Sequence, residues 1–362
     1  MTVQRPCANT SIKVDIFIIS AIMRRELKKK VALLEQSPDP VQVVFIVTFL
    51  CLFIGIFVFS DSAPYFTKIN FLLSNRALLV ISLAVCIVLS ILMRKKRNRV
   101  YSYRQVILIF GLVSLLLFIF QLFLISNMYF LTGWDAGGVR DAVFEIVNKT
   151  YNIQYPYSTY PSQINITALM VGIVKLARLI NLDGYFGILL VNALFVNLSG
   201  VFTSLSAYQI TKNIKISIFS FGIFTLWVGL SPWILIPYRD TFSILYPIMA
   251  FYLYTSRKPD GDEKVRWFFI GLLCLYGATI KQTILIVLIA IMIVELRTAL
   301  TKKDRKTWEK LFLSVTMIIL AILPVFMVNM VSTKVVGVEL DPQADFSIYH
   351  LIMMGLKEDT TG

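Results

Sequence analysis

The sequence predicts an all-α, polytopic transmembrane bundle, and three observations carry that expectation. Apolar runs repeatedly reach the roughly 20 residues that a bilayer-spanning helix requires. Hydrophobic residues make up 57% of the chain, with a mean hydropathy of +0.75. The basic residues gather in short connections between the apolar runs. That last feature is the positive-inside pattern, so the net charge of +14 marks cytoplasmic loops and gives no nucleic-acid footprint. A soluble globular fold is excluded, and about nine to eleven spans are expected.

Residues 1–40 read as a cytoplasmic basic segment. No short apolar core with a small-residue cleavage site comes before the first basic cluster, Arg24, Arg25, Lys28, Lys29 and Lys30. Ile12, Ile16, Ile19 and Met23 recur there at helical spacing, which fits a short amphipathic helix on the inner leaflet as well as an ordinary basic tail. Residues 41–362 read as one membrane domain, opening with spans at 41–60 and 77–93. Arg94, Lys95, Lys96, Arg97 and Arg99 then fix a cytoplasmic connection. The span 105–126 therefore runs outward and puts the loop 127–160 on the external face. Cys51, Cys86 and Cys274 sit inside apolar runs with neither disulfide nor metal-ligand spacing, and read as packing residues.

The external loop holds the most informative stretch, Trp134-Asp135-Ala136-Gly137-Gly138-Val139-Arg140-Asp141. Over 136–149, Val139, Val143, Ile146 and Val147 share one helical face, with Arg140, Asp141, Glu145 and Lys149 elsewhere. This predicts an extracytoplasmic amphipathic helix lying on the membrane, with Asp135 at its start as a first-turn cap. Residues 151–160, rich in tyrosine and proline, suit an interfacial loop. Three apolar runs follow between 161 and 230, whereas two external points need an even number of crossings. Asn192, Asn197, Ser199 and Gly200 interrupt the middle run, which is therefore expected to break into short helices or a hairpin that does not fully cross. Lys212 and Lys215 then fall on the cytoplasmic side. A span at 241–255 follows, then a basic inner connection at 257–266 and an outward hairpin made of 267–280 and 284–296. Lys281-Gln282-Thr283 forms the tip of that hairpin, and 311–330 closes the series after the inner connection at 302–310.

This topology brings Asp135, Asp141, Asp240, Arg239, Lys281 and His350 to one membrane face, with Arg140 beside Asp141. A carboxylate at such an edge can take a proton from an attacking hydroxyl. Arginine and lysine at the same edge can neutralise phosphate charge on a leaving group. Each residue also has a plainer reading. Asp135 caps a helix, Arg239 and Asp240 form a local ion pair at a helix start, Lys281 snorkels to headgroups, and His350 is an interfacial polar residue. The sequons at Asn148, Asn165 and Asn197 are weak matches, the last two in apolar surroundings.

In order and spacing, five stretches resemble the GT-C superfamily of integral-membrane glycosyltransferases, especially bacterial members related to protein mannosyltransferases and aminoarabinose transferases. They are Gly133-Trp134-Asp135, Tyr160-Pro161-Ser162-Gln163, Pro237-Tyr238-Arg239-Asp240, the run 277–283 around Lys281, and the run 350–356 from His350. The resemblance covers about residues 105–362 and implies a polyprenyl-phosphate-linked sugar as donor. It also implies an extracytoplasmic glycan, lipid or protein acceptor in cell-envelope assembly, and a place in the plasma membrane. Asp135 would be the catalytic base or an acceptor-orienting group and Asp240 a second acid, with a divalent cation as a candidate cofactor. Arg239 and Lys281 would face the lipid phosphate, and Arg140, Asp141 and His350 would line the substrate. The chain departs from the pattern where Arg239 replaces the threonine or serine common before the second aspartate, and where Lys281-Gln282-Thr283 stands for Lys-Pro-Thr. Similar proteins usually continue beyond the point matching Gly362, so the resemblance also implies a shortened form.

Two rival expectations come from other classes. A transporter or flippase of lipid-linked sugars needs the same basic, aromatic interface, although ion-coupled carriers usually hold an acid near the membrane midplane and these runs lack one. A non-catalytic membrane protein could keep the acids merely as helix caps.

Overall fold

The computed structural model describes residues 101–339, with short breaks at 129, 132, 151–152, 154–155 and 257–261, together with Asp341 and scattered helical positions between 43 and 87. The segment 1–40 and His350 lie outside the described residues. The chain divides into units at 1–96 and 97–362. Among the described residues the second unit is helical, with no strand, as the apolar pattern predicts. In chain order its helices are α1 (Tyr103–Met128), α2 (Trp134–Asn148), α3 (Gln163–Leu179), α4 (Gly184–Thr211), α5 (Ile214–Phe224), α6 (Arg239–Ser243), α7 (Leu245–Thr255), α8 (Glu263–Ile280), α9 (Leu285–Lys302), α10 (Arg305–Leu320) and α11 (Ile322–Val336).

Among the described residues, four stretches are long and apolar enough to cross a membrane: Tyr103–Met128, Gly184–Thr211, Gln282–Lys302 and Arg305–Val336. At 1.5 Å per residue, α1 and α4 extend about 39 and 42 Å. Most of the outward side chains of α1 and of α10–α11 are large and apolar, among them Leu116, Phe123, Phe312 and Leu323. Such faces suit lipid.

Side-chain contacts fix how the helices run. The start of α1 meets the ends of α4 and α7, where the Tyr103 and Tyr252 hydroxyls share a hydrogen bond at 2.7 Å and Gln209 Nε2 donates to Tyr103 at 2.9 Å. α1 is therefore antiparallel to α4 and α7. α8 runs back beside α7, since Tyr254 lies against Trp267 and Tyr246 against Tyr276. The bundle thus has two ends. Residues 130, 131, 133–135, 163, 238–240 and 281 gather at one, and 101–105, 208–215, 254–256 and 302–310 at the other.

Both ends of α3 lie at the first of these. Gln163 meets Tyr238, Arg178 near its other end donates to Asn148 at 2.9 Å, and Tyr185 just beyond donates to the Phe130 carbonyl at 3.3 Å. α3 is therefore the run that fails to cross, and α4 and α5 provide the even number of crossings. This corrects the expectation that the middle run breaks at Asn192, Asn197, Ser199 and Gly200. α4 passes through all four as one continuous helix, and all four are buried. Polar groups in such a span are tolerated when they face protein partners instead of lipid. The break comes later, where α5 passes into a π turn at Thr225–Gly229 and a 3-10 turn at Pro232–Leu235.

α2 forms as its periodicity predicts, but its apolar face meets protein, which corrects the expectation of a helix lying on the membrane. Val139, Ala142, Val143 and Ile146 are at most 5% exposed and join one core with Val171, Val174, Ile188 and Leu189 of α3 and α4. Two predicted spans are jointed. Pro247 lacks the N–H that would bond Ser243, and α6 gives way to α7 at Ile244. Pro324 lacks the donor for Leu320, where α10 gives way to α11.

Candidate functional site

Asp135 occupies the first turn of α2, whose N-cap is Gly133, and among the described residues no side chain caps that helix. The expectation of a capping carboxylate is corrected accordingly. The residue gains only the favourable field of the helix start and leaves its exposed carboxylate available to others.

Tyr238 is the N-cap of α6. Its backbone N–H donates to Thr241 Oγ1 at 3.4 Å, and the Thr241 hydroxyl donates back to the Tyr238 carbonyl at 3.1 Å, which holds the turn. The Tyr238 phenol reaches towards α2 and α3. It accepts from Gln163 Nε2 at 2.5 Å and donates to Asp135 Oδ2 at 3.4 Å. Burial pushes the phenol above its ordinary value of 10.0, opposed by neighbouring Arg239 and assisted by Asp135, so it remains a donor at neutral pH. Three segments far apart in sequence meet at this one hydroxyl.

Arg239 lays its guanidinium 5.5 Å from the Tyr238 ring centroid, within cation–π range. Its Nε is buried and has no hydrogen-bond partner among the described residues. The next residue, Asp240, forms an ion pair with Lys281, not with Arg239 as the local reading would have it. Lys281 sits in extended backbone between the end of α8 and the 3-10 turn Gln282–Ile284, and this interruption turns its side chain to the α6 start. The 3-10 turn itself packs closely, since a Cβ on Gly277 would lie 2.9 Å from Ile284 Cδ1.

Arg140 and Asp141 form their own pair, Nη2 to Oδ1 at 2.7 Å and Nε to Oδ1 at 2.9 Å, and Arg140 also lies 6.0 Å from the Tyr185 ring centroid. Tyr157 and Ser158 are anchored beside the site. Tyr157, 1% exposed, shares a hydrogen bond with Thr167 at 2.8 Å, and burial raises its phenol to about 12. Thr167 in turn donates to the Gln163 carbonyl at 2.8 Å, and the Asp341 N–H donates to Ser158 Oγ at 2.9 Å. Sequence reasoning missed Tyr238 and Gln163 as connecting residues. Both stand in stretches that carry the GT-C resemblance, but only their side-chain direction reveals the link.

Asp135 offers an acceptor, Tyr238 a donor and Arg239 a cationic surface. Among the described residues no three of histidine, cysteine, aspartate and glutamate come together as a metal-ligand set, and the Asp240 carboxylate is engaged by an ammonium group. Asn165 and Asn197 are 7% and 3% exposed, which removes two of the three sequons as accessible acceptors.

A family described as a conserved hypothetical integral membrane protein matches residues 40–362. No curated protein matches the chain, and no solved structure does.

Proposed function

The chain belongs to that family of conserved hypothetical integral membrane proteins, and we propose that it is a glycosyltransferase working at the membrane surface. It moves a sugar from a polyprenyl-phosphate donor to an extracytoplasmic glycan, lipid or protein acceptor of the cell envelope. The observation that carries this reading is the meeting of Asp135, Tyr238, Arg239, Asp240 and Lys281 at one end of the bundle. A lipid donor suits the position, because its isoprenoid tail stays among the helices while its sugar phosphate meets the polar rim.

The step is an inverting displacement. Asp135 takes the proton of the acceptor hydroxyl, the acceptor oxygen bonds the anomeric carbon, and the carbon–oxygen bond to phosphate breaks. The departing phosphate gathers charge opposite Arg239, whose Nε retains an unused donor, and Lys281 at the same rim adds to the field. Asp240 positions Lys281. The basic residues Lys212, Lys215, Lys302, Lys303, Lys306 and Lys310 occupy the opposite end, a distribution that by the positive-inside rule supports an external face for the site; the plasma membrane and a cytoplasmic N-terminus belong to the same proposal.

A second reading, a flippase of lipid-linked sugars, draws on the broken stretch Thr225–Leu235, since discontinuous helices are common in carriers. The test is sugar transfer from radiolabelled polyprenyl-phosphate sugars to membrane acceptors, by the wild type and Asp135→Asn in one lipid mixture. Transfer that falls about a hundredfold or more in the folded variant supports the enzyme. Movement of donor across the bilayer without transfer supports the carrier.

A further inference from the structure

We infer that Gln121 of α1 and Asn192 of α4 are positioning residues that set the backbone leading into Tyr238-Arg239-Asp240. Neither belongs to a stretch that carries the GT-C resemblance, and both are fully buried. Gln121 Nε2 donates to the Gly229 carbonyl at 2.6 Å, and Asn192 Nδ2 donates to the Ile234 carbonyl at 3.0 Å. These carbonyls lie where the regular ladder of α5 stops. The π turn closes with Leu230 N–H on the Thr225 carbonyl at 2.8 Å, and the 3-10 turn after it ends on Ile236 N–H to the Trp233 carbonyl at 3.2 Å. Backbone that leaves helical geometry within a bilayer needs donors from elsewhere. Two neighbouring helices supply them here, one at each side of the break.

The amides are themselves held. Asn197 Nδ2 donates to Gln121 Oε1 and to the Ala193 carbonyl, and Ser114 Oγ donates to Asn197 Oδ1 at 3.2 Å. Gln121 thus has an acceptor on one side and a donor on the other, and its donor end is aimed at Gly229. One helical turn beyond Asn192, Phe195 meets Phe242 of α6 edge-on at 5.6 Å between centroids. The same face of α4 therefore holds both ends of the stretch that carries Tyr238. Apolar side chains would fill a span at lower transfer cost, and the amides stand where they meet displaced carbonyls. They touch none of the reacting groups and act through residues 229–238.

The experiment is hydrogen exchange read by mass spectrometry on the full chain in nanodiscs, for wild type, Gln121→Leu, Asn192→Leu and Gln121→Glu. Loss of one such bond corresponds to about fivefold to tenfold in local opening. Gln121→Leu and Asn192→Leu are expected to speed exchange by that factor in peptides covering 230–241, leaving α8 and α9 unchanged. The Gln121→Glu variant keeps a donor and an acceptor while its carboxyl is neutral. It is expected to exchange like the wild type at low pH and like Gln121→Leu once raised pH ionises it, after correction for intrinsic rates. Packing alone gives no such pH signature. Equal acceleration in every peptide, or none in 230–241, overturns the inference. Only the importance of residues 238–240 rests on the transferase reading. Absent transfer by the wild type would sink that reading while leaving the exchange result to decide this one.

Discussion

The Tyr238 hydroxyl donates to Asp135 Oδ2 across 103 residues of sequence, joining the start of α6 to the start of α2. At 3.4 Å this bond is long, and apo catalytic contacts of this kind commonly tighten when substrate binds. Replacing Tyr238 by phenylalanine also strands Gln163 Nε2, which has Tyr238 as its acceptor. Transfer by Tyr238→Phe is expected to fall about tenfold to a hundredfold with the fold retained. The phenol is raised above 10.0, so its donor is present below that value and lost only as pH rises beyond the raised one. The wild type should accordingly keep a Tyr238-dependent rate through pH 9, measured as the ratio of wild-type to variant transfer.

The Asp240–Lys281 ion pair has side chains 46% and 34% exposed. Solvent screens such a pair, and a double-mutant cycle with Asp240→Asn and Lys281→Met should give a coupling of about 1 kcal/mol or less in unfolding experiments. Transfer should fall much more than stability, because the pair orients charge at the rim. Equal losses in both would mark it as structural.

Gly271 lets α8 approach α10 closely. A Cβ there would lie 2.9 Å from the Ile318 Cα, and backbone cannot swing aside as a flexible side chain can. Gly271→Ala is expected to destabilise by about 1–3 kcal/mol, read from detergent-induced unfolding. Gly111→Ala is the control, since nothing lies within 4 Å of its added Cβ.

Asp304 caps α10 by accepting from Thr307 N–H at 2.6 Å. The Thr307 side chain and that bond hold its carboxyl below the ordinary 3.8. A lowered value means the stabilising contribution is complete above the ordinary range and disappears as pH falls through the lowered one. Amide protection in the first turn of α10 should therefore hold from neutral pH to about 4 and decline below it, and Asp304→Ala should show the weaker protection at every pH.

The helical class was legible from length and hydropathy alone, because a span must satisfy its own backbone and so announces itself as an apolar run. The path between 161 and 230 was legible only in its parity. Hydropathy measures how apolar a residue is and says nothing of which way it faces. Asn192, Asn197 and Ser199 therefore looked like breaks in α4, although they face protein. The run that stays at one end, α3, looked apolar because Ile166, Met170, Val171 and Val174 are buried in the core it shares with α2 and α4. At the site, Asp135, Asp240 and Lys281 stood out by charge at span ends. Tyr238 and Gln163 did not, because tyrosine at an interface is ordinary and an isolated glutamine carries no pattern.

The shared core of α2, α3 and α4 has a consequence for biogenesis. Val139, Val143, Val171 and Val174 are covered in part by Ile188 and Leu189, which emerge later from the ribosome. During synthesis α2 and α3 wait at one membrane face with that surface open until the first half of α4 arrives to cover it. A nascent chain halted before residue 184 should therefore be the most protease-sensitive and chaperone-dependent stage in making this protein.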